Sequence, residues 1–548
     1  MDIQRLILFF VFSFSVLLLW EAWQKESRPA QTAQVASQSQ SLPTPAATAP
    51  KAAPAHVPPA EKEATPAATS TAPPKRIQVN TDVIHAEIDS LGGDLVYLEL
   101  LQQKDSHDKS KPVALLGPEH HYVAQSGLID SGLPNHHTPY SASQEQVSLK
   151  DGQESVEVRL EAPGPEGIKT AKIYRFKRSS YLFEVAHEID NQSAAAVSAH
   201  AYFQLVRDSK APADANSMAS TYTGAAVYSE RDKFQKVSFG DVDKGKVPYT
   251  RTTEDGWVAM IQHYFVAAIV PPEKSSRENY TRKLGEDSYA VGIIEPFAEI
   301  APGKKASVST QVYAGPQEQS ILKATAPGLD LVVDYGWLTI IAAPLFWVLE
   351  VFHGWAGNWG LAIILLTVLI KLIFFPLSAA SYKSMAKMKL VTPRLTKIRE
   401  MYADDRMKQN QAMMDLYKTE KINPLGGCLP IAVQIPVFIA LYWVLLAAVE
   451  LRHAPFYGWI TDLSIADPWY VLPAVMMASM LLQTKMNPTP PDPVQAKVMM
   501  IMPFAFGIMF FFFPAGLVLY WVVNNVLSIL QQWQINRMFS APKAAAKR

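Results

Sequence analysis

GLAIILLTVLIKLIFFPL, residues Gly360–Leu377, is the most informative stretch of this chain. It is apolar enough and long enough for a membrane-spanning helix, yet it contains Lys371, the only formal charge between Glu350 and Lys383. A charge within a bilayer costs roughly 2.5 to 3.5 kcal/mol on insertion scales, so such a residue is a candidate for function. The alternative is a lysine whose stem carries the ammonium to the nearer interface. Counted from Trp359 at about 1.5 Å per residue, Lys371 lies roughly 18 Å into a core of roughly 30 Å, in its inner half.

The composition limits the classes of protein to consider. The chain has 548 residues, 49% hydrophobic and 18% charged, with 50 basic and 50 acidic residues. A net charge of zero gives no support to binding through a basic patch, so we expect no nucleic-acid substrate. Cys428 is the sole cysteine, which excludes an intramolecular disulfide and a CxxC site.

Residues 1–24 predict a membrane anchor. An apolar run follows Arg5, and Trp20 and Trp23 lie at the expected interfacial level. A cleavable signal peptide is the alternative, but Trp20, Glu21 and Trp23 occupy positions where cleavage needs small residues, which favours an uncleaved anchor.

Residues 25–75 consist mainly of Ala, Pro, Thr, Ser and Gln, which predicts a disordered linker. Over residues 76–315 the hydrophobic period becomes two, as in Val156, Val158 and Leu160. This predicts a mainly antiparallel β-sandwich, large enough for its own core. Adjacent histidine pairs in its loops do not make a preorganised ligand set, so we expect no metal site.

The rest of the chain predicts a helical membrane bundle. The core spans are expected at 359–378, 424–449, 469–484, 498–512 and 516–533. Residues 330–352, with Trp347 and an internal proline, are expected to form a helix in the outer interface, because an extra span would upset the orientation given by the loops.

Loop charges set that orientation. Residues 379–423 contain ten Lys or Arg against five acids, residues 450–468 have one Arg against three acids, and the tail 534–548 has four basic residues and no acid. By the positive-inside rule the first and last of these are cytoplasmic, as are both termini. We therefore expect a multi-domain membrane protein with six spans, five of them in the core, and the sandwich and the 450–468 loop outside.

Residues 379–423 also predict a cytoplasmic helical hairpin. Its first helix has an apolar face at a spacing of three and four residues: Met388, Val391, Leu395, Ile398 and Tyr402. Asp404 or Asp405 can cap a second helix. Several flexible apolar side chains are available for contact with varied partners, or for filling the seam between the helices: Met385, Met388, Leu395, Met413 and Met414.

Polar residues within the spans predict a hydrophilic recess. Besides Lys371 they are Thr367, Gln434, Tyr520, Asn524, Asn525 and Ser528. Thr367 and Lys371 are four residues apart and share a helix face. Since polar groups in a bilayer face one another or a wet cavity, we expect a recess open to the cytoplasm with one positive charge. It can attract acids on a translocating segment or serve as a counter-ion site in a transporter.

Five motifs are specific enough to indicate a family: MDIQR at the start, PLSAASYKSMAKMKLVTPRL at Pro376–Leu395, NPLGGC at Asn423–Cys428, ELRHAPF at Glu450–Phe456 and FPAGLVLYW at Phe513–Trp521. With them the chain resembles, over essentially its whole length, the YidC/Oxa/Alb family of insertases, in its Gram-negative form with a large periplasmic domain. The resemblance implies a bacterial inner-membrane protein, not an enzyme, without cofactor or metal. It also implies a periplasmic super-sandwich similar to the mutarotase fold.

The resemblance further implies that nascent membrane proteins enter a groove in the inner leaflet and leave it into the lipid bilayer, alone or with the Sec translocon and its accessory subunits. The implied groove residues are Lys371, Thr367, Gln434, Tyr520, Trp521 and Asn524. The hairpin and the basic tail would recruit the ribosome and a targeting receptor. The family's groove cation is typically arginine, and lysine keeps the charge but loses the bidentate fork.

Two other functions fit parts of the pattern. A small-solute transporter would use Lys371 as a binding site and predicts internal repeats, of which the core sequence shows none. A sugar-active enzyme or sensor in the sandwich would need a pair of His and Glu for turnover, and none is convincing. NPLGGC lacks the lysine and the Ser or Thr of a phosphate-binding loop.

Overall fold

The computed structural model describes residues 75–106, 108–130, 132–212, 221–420, 429–487 and 493–540. The anchor at 1–24, with the MDIQR motif, and the NPLGGC motif lie outside the described residues. So do nearly all of the linker at 25–75, the end of the hairpin at 379–423, the start of the span at 424–449 and the end of the basic tail.

The first half of the described chain is a β-sandwich. Its strands are β1 Arg76–Asn80, β2 Ile84–Asp89, β3 Leu95–Lys104, β4 Pro112–Leu116, β5 Val123–Ile129, β6 Ser141–Ala142, β7 Gln146–Ser148, β8 Ser155–Pro163, β9 Ile168–Lys177, β10 Leu182–Asn191, β11 His200–Arg207, β12 Gly224–Ser229, β13 Lys233–Val237, β14 Thr252–Thr253, β15 Trp257–Gln262, β16 Phe265–Val270, β17 Arg277–Gly285, β18 Ser288–Pro296 and β19 Lys304–Pro316.

These strands pair into two sheets. The ten-stranded sheet has the order β14-β17-β18-β11-β5-β3-β2-β1-β7, with β4 beside β3, and the nine-stranded sheet has the order β13-β12-β15-β16-β19-β10-β9-β8-β6. Every neighbouring pair is antiparallel except β1 with β7. The prediction of a mainly antiparallel sandwich is therefore confirmed.

Burial along the strands explains the sequence pattern. In β8 exposed and buried residues alternate, and Val156, Val158 and Leu160 face the core. Every residue of β12 and β15, in contrast, is buried. Both faces of these strands are covered, so their sequences do not alternate and are apolar up to the last residue, Ser229 or Gln262. The Trp257 indole N–H of β15 donates to the Pro327 carbonyl at 3.0 Å, which fixes the segment leading to the helices against this sheet.

A buried lysine joins the two sheets inside the core. Lys172 of β9 lies in the nine-stranded sheet, and its Nζ is 3.3 Å from the carboxylate of Asp94, beside β3 in the other sheet. The same ammonium donates to the carbonyls of Gly92 and Ser126, each at 3.1 Å. Its three N–H donors therefore all have acceptors across the sandwich, as a buried charge requires.

Ten α-helices lie among the described residues: α1 Phe239–Asp243, α2 Gln319–Thr325, α3 Thr339–Ala356, α4 Trp359–Ile373, α5 Phe375–Met401, α6 Arg406–Thr419, α7 Leu429–Ala447, α8 Val471–Met486, α9 Pro493–Phe510 and α10 Ala515–Ser540. Short 3-10 turns occur at Pro118–His120, Leu329–Val332, Gly336–Leu338 and Val449–Leu451. α10 contacts α4, α5, α7 and α8, so it is central to the helical part.

The first predicted core span, 359–378, is broken in the structure. α4 ends at Ile373, α5 begins at Phe375, and the two axes differ by 65°. Pro376 lies in the first turn of α5, where it disfavours a helical conformation of the residue before it and clashes with a carbonyl of the preceding turn. One continuous span is thus corrected to two helices that meet at Phe374.

Two other predicted bounds differ from the structure. The interfacial helix expected at 330–352 is α3 at Thr339–Ala356, because two 3-10 turns take up the chain before it. The last span, expected at 516–533, lies within α10, which continues to Ser540.

The described helices do not settle the number of spans. By length and composition α3 could cross a membrane on its own, and α4 with the first part of α5 could do so as a bent pair. Shorter apolar helices cover Val433–Ala447, Val471–Met486 and Ala496–Phe510. Six spans in all, five of them in the core, stay a prediction.

The ELRHAPF motif attaches the helical part to the sandwich. The Glu450 carboxylate accepts from the backbone N–H of Gln319 at 3.3 Å. Arg452 donates to the Ser106 hydroxyl at 2.8 Å, and its guanidinium lies 5.3 Å from the ring centroid of Phe265. The motif therefore contacts the β3–β4 loop, strand β16 and the start of α2.

His453 of the same motif makes a second attachment. One ring nitrogen donates to the Lys104 carbonyl at 3.0 Å, and the other contacts the Asp462 carboxylate at 2.9 Å. Burial acts to raise the pKa of Asp462, but hydrogen bonds from His453 and Ser464 hold it below its usual value. Asp462 thus accepts from His453 and from the Ser464 hydroxyl, which ties the motif to the loop that follows it.

We predict that Lys172→Met lowers the free energy of unfolding by about 3–5 kcal/mol, because it leaves Asp94 buried without its partner. Adding Asp94→Leu should recover much of this loss, and Lys169→Met, at an exposed position of the same strand, should be near neutral. The free energies of unfolding of the three variants can be measured by urea unfolding of the full chain in detergent, with pulse proteolysis as the readout of the unfolded fraction. Equal losses in the single and double variants would contradict the cross-sheet role.

Glu450 predicts a pH dependence of the junction. Burial raises its pKa to about 7, with the nearby carboxylates of Glu318 and Glu350 adding to the shift. Folding therefore favours the protonated form, and the stability this provides is complete below the ordinary carboxyl pKa of 4.5 and is lost as the pH rises through 7.

Glu450→Gln cannot ionise, so at pH 8 it should be more stable than the wild type by about 1–3 kcal/mol, with the difference shrinking at pH 5. Urea unfolding at both pH values checks this, with Glu299→Gln as the exposed control. A Glu450→Gln profile parallel to that of the wild type would refute the prediction.

Candidate functional site

Lys371 and Ser528 form the centre of the candidate site. Lys371 lies in the last turn of α4 and is 5% exposed, and its Nζ donates to the Ser528 hydroxyl at 2.7 Å. Ser528 is 4% exposed and donates its own proton to the Asn524 carbonyl at 2.7 Å. Within the described part of the chain no acidic side chain forms an ion pair with Lys371. The ammonium is therefore buried with one neutral partner and two further donors.

The helix break favours a cation at this place. Because α4 ends at Ile373, Lys371 lies where the last carbonyl groups of the helix carry the negative end of its dipole. Just past the break, α5 buries Ser378 and Ser381, and the Tyr382 phenol lies beside Ser528. Tyr382 therefore brings a phenol of α5 to the Lys371–Ser528 pair.

Thr367 lies one turn before Lys371 and is 1% exposed. Its hydroxyl donates to the Ile363 carbonyl of its own helix at 2.7 Å, so this donor is used within α4. Gln434, on α7, is half-buried, with one turn between it and Phe438. The structure places Thr367 on the face of Lys371 but gives it no bond to the ammonium.

The predicted residues of α10 form a row and an aromatic cluster. Tyr520, Asn524 and Ser528 follow each other at a spacing of four, so they share one face of the helix. Tyr520 is buried, with its ring centroid 6.4 Å from that of Phe438, whereas Trp521 is half-buried at 4.6 Å from the same ring. Both aromatic side chains thus contact α7, and the polar row leads from them to Lys371.

Two further polar residues tie α10 to α8. Asn525 donates to the Ser479 hydroxyl at 3.1 Å, and Gln532 donates to the Asn487 side chain at 2.9 Å. All of these partners lie on α8 or at its end. Ser528 lies between Asn525 and Gln532 along the chain, so α10 is bonded to α4 in the middle and to α8 on either side.

The predicted contact residues of the hairpin separate into two groups. Leu395 is fully buried and forms, with Val391, a small core that Met388 and Met413 cover. Met414 is 52% exposed, and Met385 is half-buried. Helices α5 and α6 contact through this core, and the Arg394–Glu420 ion pair, at 2.6 Å, joins them as well.

Asp405 caps the second of these helices, as the sequence predicts. Its carboxylate accepts from the backbone N–H groups of Met407 and Lys408 at 3.1 and 3.0 Å. The large apolar side chains that remain exposed on this pair of helices are Phe375, Leu390, Met401, Met407 and Met414.

The sequence analysis identified Ser528 as polar but did not include it among the groove residues. Its spacing of four from Asn524 and eight from Tyr520 was the available signal. Nothing in the sequence indicated Tyr382, because its contact with Ser528 depends on how α5 packs against α10.

Comparison with known proteins finds relatives over the whole length of this chain. A family model described as the YidC periplasmic domain matches residues 76–348, and one described as the 60Kd inner membrane protein matches residues 351–543. The membrane protein insertase YidC of Dechloromonas aromatica is 56% identical, covering 100% of this chain and 99% of its own length. Those of Nitrosospira multiformis and Aromatoleum aromaticum are each 53% identical, covering 99% and 100% of this chain and 98% and 100% of their own. The chain therefore belongs to the YidC family of membrane protein insertases.

Proposed function

We propose that this chain inserts membrane proteins by receiving an incoming segment at Lys371 and releasing its helix into the lipid. The observation that carries the proposal is the burial of Lys371 beside a single neutral hydroxyl. Two of its N–H donors are left for a ligand, and a carboxylate is the acceptor that a buried ammonium binds best. A segment with an acidic flank gains at this point an interaction that lipid cannot offer.

The mechanism needs no nucleotide and no covalent step. Lys371 and the row of Tyr520, Asn524 and Ser528 bind the hydrophilic flank of the incoming segment and lower the cost of its passage. Gln434, Thr367 and Trp521 complete the lining on α7, α4 and α10. Burial of the apolar part of the segment in lipid, at about 25 cal/mol per Å², drives release. The groove thus lowers the free-energy barrier to insertion, and burial of the substrate's own apolar surface drives the process.

The proposed topology has six spans, both termini in the cytoplasm, the sandwich in the periplasm, and the α5–α6 pair as a cytoplasmic hairpin. Loop charge supports this arrangement, since residues 379–423 have an excess of five basic residues and residues 450–468 an excess of two acids. Helix α3 exposes Ile340, Trp347 and Trp355, which suits a helix lying in the outer interface.

We further propose that the hairpin contacts partners through its exposed apolar residues. Met407 and Met414 lie two turns apart on one face of α6, 81% and 52% exposed. Lys418, one turn further, adds positive charge to this face. Flexible methionines beside a basic residue suit varied apolar or acidic partners. A targeting receptor, the ribosome and the Sec translocon with its accessory subunits are the partners that the family suggests, with nascent membrane proteins as the substrate.

We predict that Lys371→Leu reduces the insertion of a substrate with an aspartate in its translocated tail about tenfold, since a hydrogen bond to a charged group contributes about 1.5–3 kcal/mol. The same substrate with asparagine should change little, and Lys371→Arg should retain the preference for aspartate. Protease protection in vesicles reconstituted with the purified protein measures each rate. If the purified protein promotes no insertion above lipid alone, the proposed function is wrong.

The topology can be tested with single cysteines in a Cys428→Ser chain, because Cys428 is the sole cysteine. A cysteine at Tyr457, which is 60% exposed, should react with a membrane-impermeant maleimide in spheroplasts, as should the sandwich control at Lys150. A cysteine at Asp404 should react only after lysis. Labelling of Asp404→Cys in intact spheroplasts would reverse the proposed orientation.

A further inference from the structure

The Lys371–Ser528 bond joins residues 157 positions apart in the sequence. It is the contact through which α10 holds the lysine of α4. Because Ser528 donates its proton to the Asn524 carbonyl, its hydroxyl oxygen has to accept from the ammonium. The serine is therefore fixed in one orientation, with its lone pair toward Nζ.

We propose that Ser528 is a positioning residue of the groove, which holds the Lys371 ammonium in place and leaves its remaining donors for an acidic group of the substrate. This inference rests on the proposed function of Lys371 and deepens it. It assigns to Ser528 a role in the selectivity of the groove rather than in the packing of α10 alone.

The physical need for such a residue follows from the lysine side chain. Its four-carbon stem rotates freely, and an ammonium without a partner in an apolar setting moves toward the interface or loses its proton. An arginine would present five donors in a rigid fork and would depend less on one contact. The neutral Ser528 fixes one N–H without neutralising the charge, so the ammonium stays both buried and able to attract a carboxylate.

Neighbouring contacts provide a structural control. Asn525, one position along α10 from Asn524, donates to Ser479 at 3.1 Å and to the Met476 sulfur at 3.2 Å. This bond is buried, lies on the same helix and ties α10 to α8, but it does not involve Lys371. Asn525→Ala removes a comparable hydrogen bond and therefore reports what loss of helix packing alone does.

The experiment compares two substrates that differ only by aspartate or asparagine in the translocated tail, with the full chain in proteoliposomes. Ser528→Ala should lower the ratio of aspartate to asparagine insertion about fivefold, since the ammonium loses the bond that places it. Ser528→Thr keeps the hydroxyl and should preserve the ratio. Asn525→Ala should slow both substrates equally and leave the ratio unchanged.

A double-mutant cycle isolates the coupling between the two residues. If Ser528 acts through the lysine, Ser528→Ala should lower the ratio no further in a Lys371→Leu chain. Should Ser528→Ala fail to fold, Ser528→Cys keeps a similar volume with a weak acceptor and should also lower the ratio.

The outcomes separate the two proposals. Suppose that Lys371→Leu lowers the ratio, but Ser528→Ala leaves it unchanged or slows both substrates equally, as Asn525→Ala does. The positioning role of Ser528 is then overturned, and the charge capture by Lys371 stands. An unchanged ratio in Lys371→Leu overturns the proposed charge capture itself.

Discussion

A cation buried among apolar helices is the constraint on which the rest of the helical part depends. Lys371 has to have an acceptor, and the acceptor that the structure gives it, the Ser528 hydroxyl, lies on another helix. Ser528 meets this need only if α10 packs against α4, and α10 is held there by its bonds to α8 through Asn525 and Gln532. These hydrogen bonds connect α4, α10 and α8 to one another through a buried charge and its acceptor.

The same logic operates in the sandwich with a different outcome. Lys172 is as deeply buried as Lys371, but all three of its N–H donors have acceptors, one of them the carboxylate of Asp94. Its charge is compensated and fixes the two sheets relative to each other. Lys371 has one neutral acceptor. In the proposed function, this difference separates a lysine that holds the fold together from one whose charge is available to a substrate.

Local sequence signals predicted the elements that local physics determines. The alternation around Val158 predicted a strand with one buried face. The pair Asp404 and Asp405 predicted a helix cap, and the structure shows that Asp405 serves the first turn that follows it. The break at Phe374 was missed although Pro376 was a local signal for it. The Lys371–Ser528 pair could not be predicted in the same way, because it depends on the register of two helices that are distant in sequence. Periodicity shows which face of each helix is polar, but not which residues meet.

Helices α5 and α6 have a core of their own. Val391 and Leu395, with Met388, Met413, Leu416 and Tyr417 around them, are not continuous with the large core that runs through the sandwich and the other helices. Pro393 removes a backbone hydrogen bond in the middle of this stretch. We therefore expect local opening at the far end of the pair, around Val391 and Leu395, while Tyr382 keeps the start of α5 beside Ser528. The amides of this far end should exchange with solvent deuterium well before those of α4 and α10, and a partner that binds its opened form would draw on this local equilibrium rather than on the global stability of the chain.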